Sequence, residues 1–398
     1  MSGLDIDRRR DVVLVIGTDG IDTAVDLTRK GFKRVIIAVP KCHLEQTHLT
    51  ISANPCEIVT DPNAVAKYLL DLEEPIPHKC SIGKGSQSGF TPEQMDDLEN
   101  AAQKTISNMV SNKLTLERFG DLWAHNAQEN LDACLSLEDI STHKERWAGK
   151  PMVIVGAGPS LDNTIHQLSD VAPGTCIMAT SHALGALEQA GIKPDYVMVL
   201  DAQDVRWHFF NNNECSRLDT ITGVLGVTVH PRSFHLPFKD ILVFDGNKDI
   251  NQWVSDKRET PLTSLVAGGN VLTSAVKLGI EWGCSRICLI GSDLSYPNGR
   301  IYAQGTDGGA TIELTDDRKQ FTIHNGSESL QALATDAPRA LTTLPAIQGG
   351  TLPTCGPFVL YHSYLVMVAR QYPGLLYQCS EQGALIDGAT HCPLSEAL

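Results

Sequence analysis

The chain has 398 residues, 42% hydrophobic and 20% charged, enough for two or three domains with sizeable cores. Its 32 Lys and Arg against 47 Asp and Glu give a formal charge of −15 with no basic cluster beyond Arg8-Arg9-Arg10, which disfavours nucleic acid as a partner. No apolar run approaches a membrane span, no N-terminal segment reads as a signal peptide, and the eleven cysteines are dispersed without a CxxC pair, so a cytoplasmic protein with free thiols is expected.

In chain order, Val12–Ile16 suits a strand, Ile21–Lys30 a helix stopped by Gly31, Val35–Val39 a second strand and Pro62–Leu72 a second helix. These form a small N-terminal α/β domain over residues 1–80. The turn Gly17-Thr18-Asp19-Gly20 has the outline of a phosphate loop, but Asp19 would face the phosphate with a negative charge. An ordinary turn is the better expectation. Residues 81–149 read as a linker and helical segment. Pro75–Phe90, with Gly83, Gly85 and Gly89, suits an exposed connection. Thr91-Pro92-Glu93-Gln94 is a capping box, followed by Met95, Leu98, Ala102, Ile106 and Met109 at helical spacing. A second helical stripe carries Leu116, Phe119, Trp123, Ala127 and Leu131.

From residue 150 to 304 strand and helix alternate. Met152–Val155, Cys176–Ala179, Tyr196–Leu200, Val224–Val229, Ile241–Phe244 and Ile287–Ile290 are strand-like, with helices at His182–Ala190 and Val271–Trp282 among them. This order predicts an α/β fold with a Rossmann-like, doubly wound parallel sheet. Ligands in such sheets lie beyond the carboxyl ends of the strands. Gly156–Ser160, Ser181–His182, Asp201, Gly268–Asn270 and Asp293 all fall at strand exits or helix starts on that edge. Residues 305–398 are more irregular: a helix is expected at Ser327–Thr335, a loop at Pro345–Gly356 and an apolar helix at Phe358–Tyr372. This segment would complete the core as a lid or acceptor element.

Gly156-Ala157-Gly158-Pro159-Ser160 after a buried strand outlines a phosphate cradle, with Ser160 as helix cap and backbone amides facing an anion. Leu161 stands where the dinucleotide fingerprint needs a third glycine, and no Gly-Lys-Ser/Thr follows, so NAD and Walker-type sites are disfavoured.

The loop Gly156-Ala-Gly-Pro-Ser-Leu161 resembles the G-x-G-P-S-L loop of the Maf (motility-associated factor)/MptE-like family, which is related to bacterial sialyltransferases using CMP-sialic acid. The resemblance extends to Pro194–Asp201, Gly268–Val271, Ile287–Leu294, Asn298–Ala303 and Ser380–Ala389, covering about Lys150 to Ala389. Ser181 stands where the sialyltransferases commonly have asparagine, and Gly268 where they have serine. One branch of the family implies transfer of a nonulosonic acid (sialic, pseudaminic or legionaminic type) from a CMP-sugar to a protein hydroxyl, such as flagellin serine or threonine, or to a glycan. That reaction requires no cofactor. The other branch implies a pterin diphosphokinase using ATP and Mg2+. A non-catalytic nucleotide-sugar-binding accessory protein is the third possibility, and a homo-oligomer is compatible with each.

On this reading Gly156, Ala157, Gly158, Pro159, Ser160, Ser181, His182, Asp201, Gly268, Gly269, Asn270 and Asp293 contact nucleotide. Tyr302 and Tyr296 would donate hydrogen bonds to the leaving phosphate, and His324 would be the base for the acceptor. Tyr296 as a loop anchor and Asp293 as a turn cap are the competing structural readings. Asp201 is the Mg2+ ligand if the ATP-dependent branch applies.

Overall fold

The computed structural model describes residues 7, 10–17, 20–44, 56–72, 75–84, 89–211, 214–215, 217–246, 248–306, 309–325 and 339–398. Its packing separates Met1–Gly120 from Asp121–Leu398. Most of the turn after Val12–Ile16 and the helix expected at Ser327–Thr335 lie outside the described residues.

The first unit carries a four-stranded parallel sheet in the order Cys56–Val59, Arg34–Ala38, Val12–Ile16, Cys80–Lys84. The last strand corrects the expectation of an exposed connection from Pro75. Cys80-Ser-Ile-Gly-Lys84 has too little alternation to announce itself, and its pairing to the fully buried Val12–Ile16 makes it a strand. Helices Gly20–Arg29 and Pro62–Leu70 complete the unit's α/β pattern. The capping box is present: Gln94 donates its amide to Thr91 Oγ1, and Thr91 donates its own to Gln94 Oε1. It starts one 38-residue helix, Pro92–Glu129, where two were expected. Leu98, Ala102 and Ile106 bury against Val12, Leu14 and Ile36, whereas Leu116 stays exposed.

The second unit is built on nine strands, every adjacent pair parallel. From one edge they run Thr390–His391, Leu376–Gln378, Arg286–Ile290, Pro151–Val155, Cys176–Thr180, Tyr196–Val199, Thr222–Gly226, Asp240–Phe244 and Glu138–Asp139. The α/β, Rossmann-like expectation therefore holds. Both faces are covered, as a parallel sheet requires. Met152, Ile154, Ile287 and Leu289 pack into one core, and Val153, Val155, Cys288 and Ile290 into the other. The chain progresses outward from Pro151–Val155 to Asp240–Phe244, then returns to place Arg286–Ile290 on the opposite side of Pro151–Val155. That reversal is the sheet's topological switch point. Past residue 304 the irregular segment supplies two short hairpin pairings, Thr311–Leu314 with Gln320–His324 and Thr342–Pro345 with Thr351–Thr354. It also supplies helix Gly356–Gln371 and the two strands at one side of the nine-stranded sheet, Leu376–Gln378 and Thr390–His391.

Candidate functional site

The switch point brings Gly156–Ser160 directly against Gly291–Asp293. Gly156 N–H donates to Ile290 O and Gly158 N–H to Gly291 O. Ser160 donates its amide and its hydroxyl to Asp293 Oδ2, at 3.0 and 2.8 Å. This corrects the expected cradle. The amides of Gly156, Gly158 and Ser160 are engaged within the protein, and Ser160 makes no side-chain cap bond to its helix. The anion at the loop is Asp293 itself. Its carboxyl is almost wholly enclosed, and burial raises its pKa to about 7 against the opposing pull of Ser160 and the Arg300 charge. Asp293 Oδ1 is buried with no hydrogen-bond partner among the described residues. Behind it, the Ser380–Ala389 motif closes the turn: Ala384 N–H donates to Asp293 O, and Gln378 bridges Ala384 O and Ile386 N.

In front of the loop lies the segment carrying Tyr302. Ala303 N–H donates to Ala157 O, and Gln304 N–H to Asp162 Oδ1 at 2.8 Å. Arg300 Nη2 donates to Asp162 Oδ2 at 2.7 Å and to Tyr302 O at 3.2 Å. Thus fastened, the Tyr302 ring lies on His182, ring centres 4.1 Å apart, and His182 stacks on His208 at 4.4 Å. His208 Nδ1 is 3.2 Å from Ser181 Oγ. Burial, then the neighbouring His182, push His208 down to about pKa 2, so it is neutral at any working pH. Ser181, His182 and Tyr302 therefore belong to one cluster, at the exit of Cys176–Thr180.

The second glycine turn behaves as expected of a helix start. Gly269 adopts φ +98°, a conformation that glycine supplies without strain. Asn270 caps Val271–Glu281: its Oδ1 accepts from Thr273 N at 2.9 Å, and its own N–H donates to Thr273 Oγ1. Asn270→Ala should lower stability by about 1 kcal/mol in urea unfolding, with Asn270→Asp close to wild type; equal loss in both would refute the cap. Tyr361 and Tyr364, one turn apart on Gly356–Gln371, pack over Gly269 and Gly268. Asp201 stands exposed at the exit of Tyr196–Val199, and desolvation by the surrounding protein raises its pKa. Tyr361 is pushed up to about 12 by burial and by the charges of Cys355 and Asp201. Sequence reasoning missed Tyr361, Asp162 and Arg300. The aromatic spacing of the first looked like packing, and the other two act only through contacts formed by the fold.

Two expected catalytic side chains lie elsewhere. Tyr296 is buried with Phe321 and Phe358, and its hydroxyl donates to Cys355 Sγ at 3.2 Å, which makes it a loop anchor. His324 sits on an exposed hairpin, 3.2 Å from Glu313 Oε2 and 2.8 Å from Thr322 Oγ1, with no described contact to the cluster above. Among the described residues no group of three or more His, Cys, Asp or Glu is placed to hold a metal ion. No described helix is long and apolar enough to cross a membrane.

The family described as 6-hydroxymethylpterin diphosphokinase MptE-like matches residues 123–299, so the Maf/MptE-like resemblance holds. The structure of MAf glycosyltransferase from Magnetospirillum magneticum AMB-1 is similar in fold, with TM-score 0.58 and 16% identity. The match covers 100% of this chain and 60% of that one. No curated protein matches the sequence.

Proposed function

We propose that this chain, MptE-like over residues 123–299, is a glycosyltransferase that moves a nonulosonic acid from a CMP-activated donor to a protein or glycan hydroxyl. The observation that carries this reading is the meeting of the glycine loop, Asp293 and the Tyr302–His182–His208 stack at the sheet's switch point. The fold likeness to MAf glycosyltransferase supports it. A flagellin-like serine or threonine is the acceptor class that the family resemblance suggests.

In this reading the stack forms the wall against which the nucleotide lies, and the Tyr302 hydroxyl donates to the departing phosphate. Transfer of the sugar breaks its bond to phosphate, forms one to the acceptor oxygen and releases the acceptor proton to a base. His182 replaces His324 in that role, because it lies within the cluster against the Tyr302 ring.

Pyrophosphoryl transfer from ATP to a pterin alcohol is the second reading, favoured by the family description itself. Asp201 fits that chemistry as a ligand for Mg2+ carried in on substrate phosphates, since Mg2+ commonly takes one or two carboxylates and fills its shell with water and phosphate. Thermal-shift titration separates the two. Stabilisation by CMP without Mg2+ is the expected result, and stabilisation only by ATP with Mg2+ would replace the first reading by the second. CMP binding with no hydrolysis or transfer of any CMP-nonulosonate would leave a nucleotide-sugar-binding accessory protein.

A further inference from the structure

With the Gly156, Gly158 and Ser160 amides engaged internally, an anionic ligand needs a side chain to hold it. The chain is acidic overall, so a cation at this edge is notable for its placement. Arg300 has the geometry. Its Nη2 is anchored to Asp162 Oδ2 at 2.7 Å and Tyr302 O at 3.2 Å. Its Nε and Nη1 have no hydrogen-bond partner among the described residues, and its side chain is 35% exposed. Asp162 lies two residues past Ser160, so this ion pair sets the guanidinium beside the helix start that follows the glycine loop as well as beside Tyr302.

We propose that Arg300 is an anion-binding residue of this site, oriented by Asp162 to grip a phosphate group of the bound ligand. One edge of a planar guanidinium is fixed by the Asp162 carboxylate while other N–H groups remain to meet phosphate oxygens. Asp162 is the positioning residue: by binding Arg300 and the Gln304 amide together, it holds Arg300 beside Tyr302 and the glycine loop. The assignment deepens the nucleotide reading above, but the anion site itself does not depend on which nucleotide or reaction is correct.

The first test uses the intact wild-type protein. Phenylglyoxal labelling read by mass spectrometry should modify Arg300, and inorganic pyrophosphate should protect it; an unchanged labelling rate at high pyrophosphate overturns the proposal. Better protection by a free nonulosonic acid than by pyrophosphate would overturn the phosphate assignment, with the sugar carboxylate as the ligand instead. The second test compares affinities for CMP and cytidine, which differ by the phosphate. Wild type should prefer CMP by about tenfold or more, Arg300→Gln should bring the ratio near one, and Arg300→Lys should keep part of it. Asp162→Asn should reduce the ratio less than Arg300→Gln, because its side-chain oxygen still accepts from Gln304. An Arg300→Gln protein that keeps the full preference overturns the proposal. Pyrophosphate protection with no CMP preference in wild type would refute the CMP reading and uphold the anion site.

Discussion

Gly158→Ala is expected to destabilise the second unit by about 3–5 kcal/mol, a large share of the stability an ordinary domain has. A Cβ at Gly158 would stand 2.1 Å from Asp293 Oδ2 and 2.8 Å from Gly291 O. Neither neighbour can yield cheaply. The Gly291 carbonyl is already the acceptor for Gly158 N–H, and Asp293 is held by Ser160 on one side and the Gly383 turn on the other. Moving Asp293 would break two hydrogen bonds to a buried carboxyl, which adds the cost of an unsatisfied group to the steric strain. Gly356→Ala is the control, since a Cβ there meets nothing within 4 Å. All five tryptophans (Trp123, Trp147, Trp207, Trp253 and Trp282) lie beyond Gly120, so urea unfolding followed by tryptophan fluorescence reports on the second unit. Equal midpoints for Gly158→Ala and Gly356→Ala would show that the switch point tolerates the methyl group.

Asp293→Asn should flatten the pH dependence of stability. In the fold the carboxyl releases its proton near pH 7, compared with an ordinary value of 3.8. Between those values the native chain binds the proton more tightly than the unfolded chain. Stability therefore falls as pH rises from about 4 to about 7 and then levels, with a span of up to roughly 4 kcal/mol from this group. Asparagine retains an oxygen to accept from Ser160 but carries no charge to desolvate. The variant should gain on wild type as pH rises, with an advantage about 2–3 kcal/mol larger at pH 8 than at pH 5, by urea midpoints measured at both. If the difference between the two proteins does not change with pH, the carboxyl is already ionised throughout and the raised pKa is wrong. The same variant separates the loop's structural role from ligand chemistry, since no substrate is needed to measure it.

Much of this architecture is legible in local sequence. Strands such as Val12–Ile16, Cys176–Thr180 and Asp240–Phe244 are short, buried and β-rich, and the Thr91 and Asn270 caps are encoded within four residues. Signals of that kind depend on neighbours in the chain, so composition and spacing carry them. Edge strands such as Glu138–Asp139 and Thr390–His391 are two residues long and have no period to read; only the pairing partner creates them.

The glycine loop marks the boundary between what sequence and tertiary structure decide. Its residues by themselves determined a tight turn after a buried strand, disfavoured a dinucleotide or Walker site, and pointed to a family resemblance that the comparison bears out. Where its donors point was decided by a residue 133 positions away, when sheet pairing set Arg286–Ile290 beside Pro151–Val155 and placed Asp293 on Ser160. The same closure set Arg300 on Asp162, 138 positions apart, and Tyr302 on His182. Hydrogen bonds and ring contacts act over a few ångströms, so side chains distant in sequence acquire those roles only when the parallel sheet has brought their strand exits together.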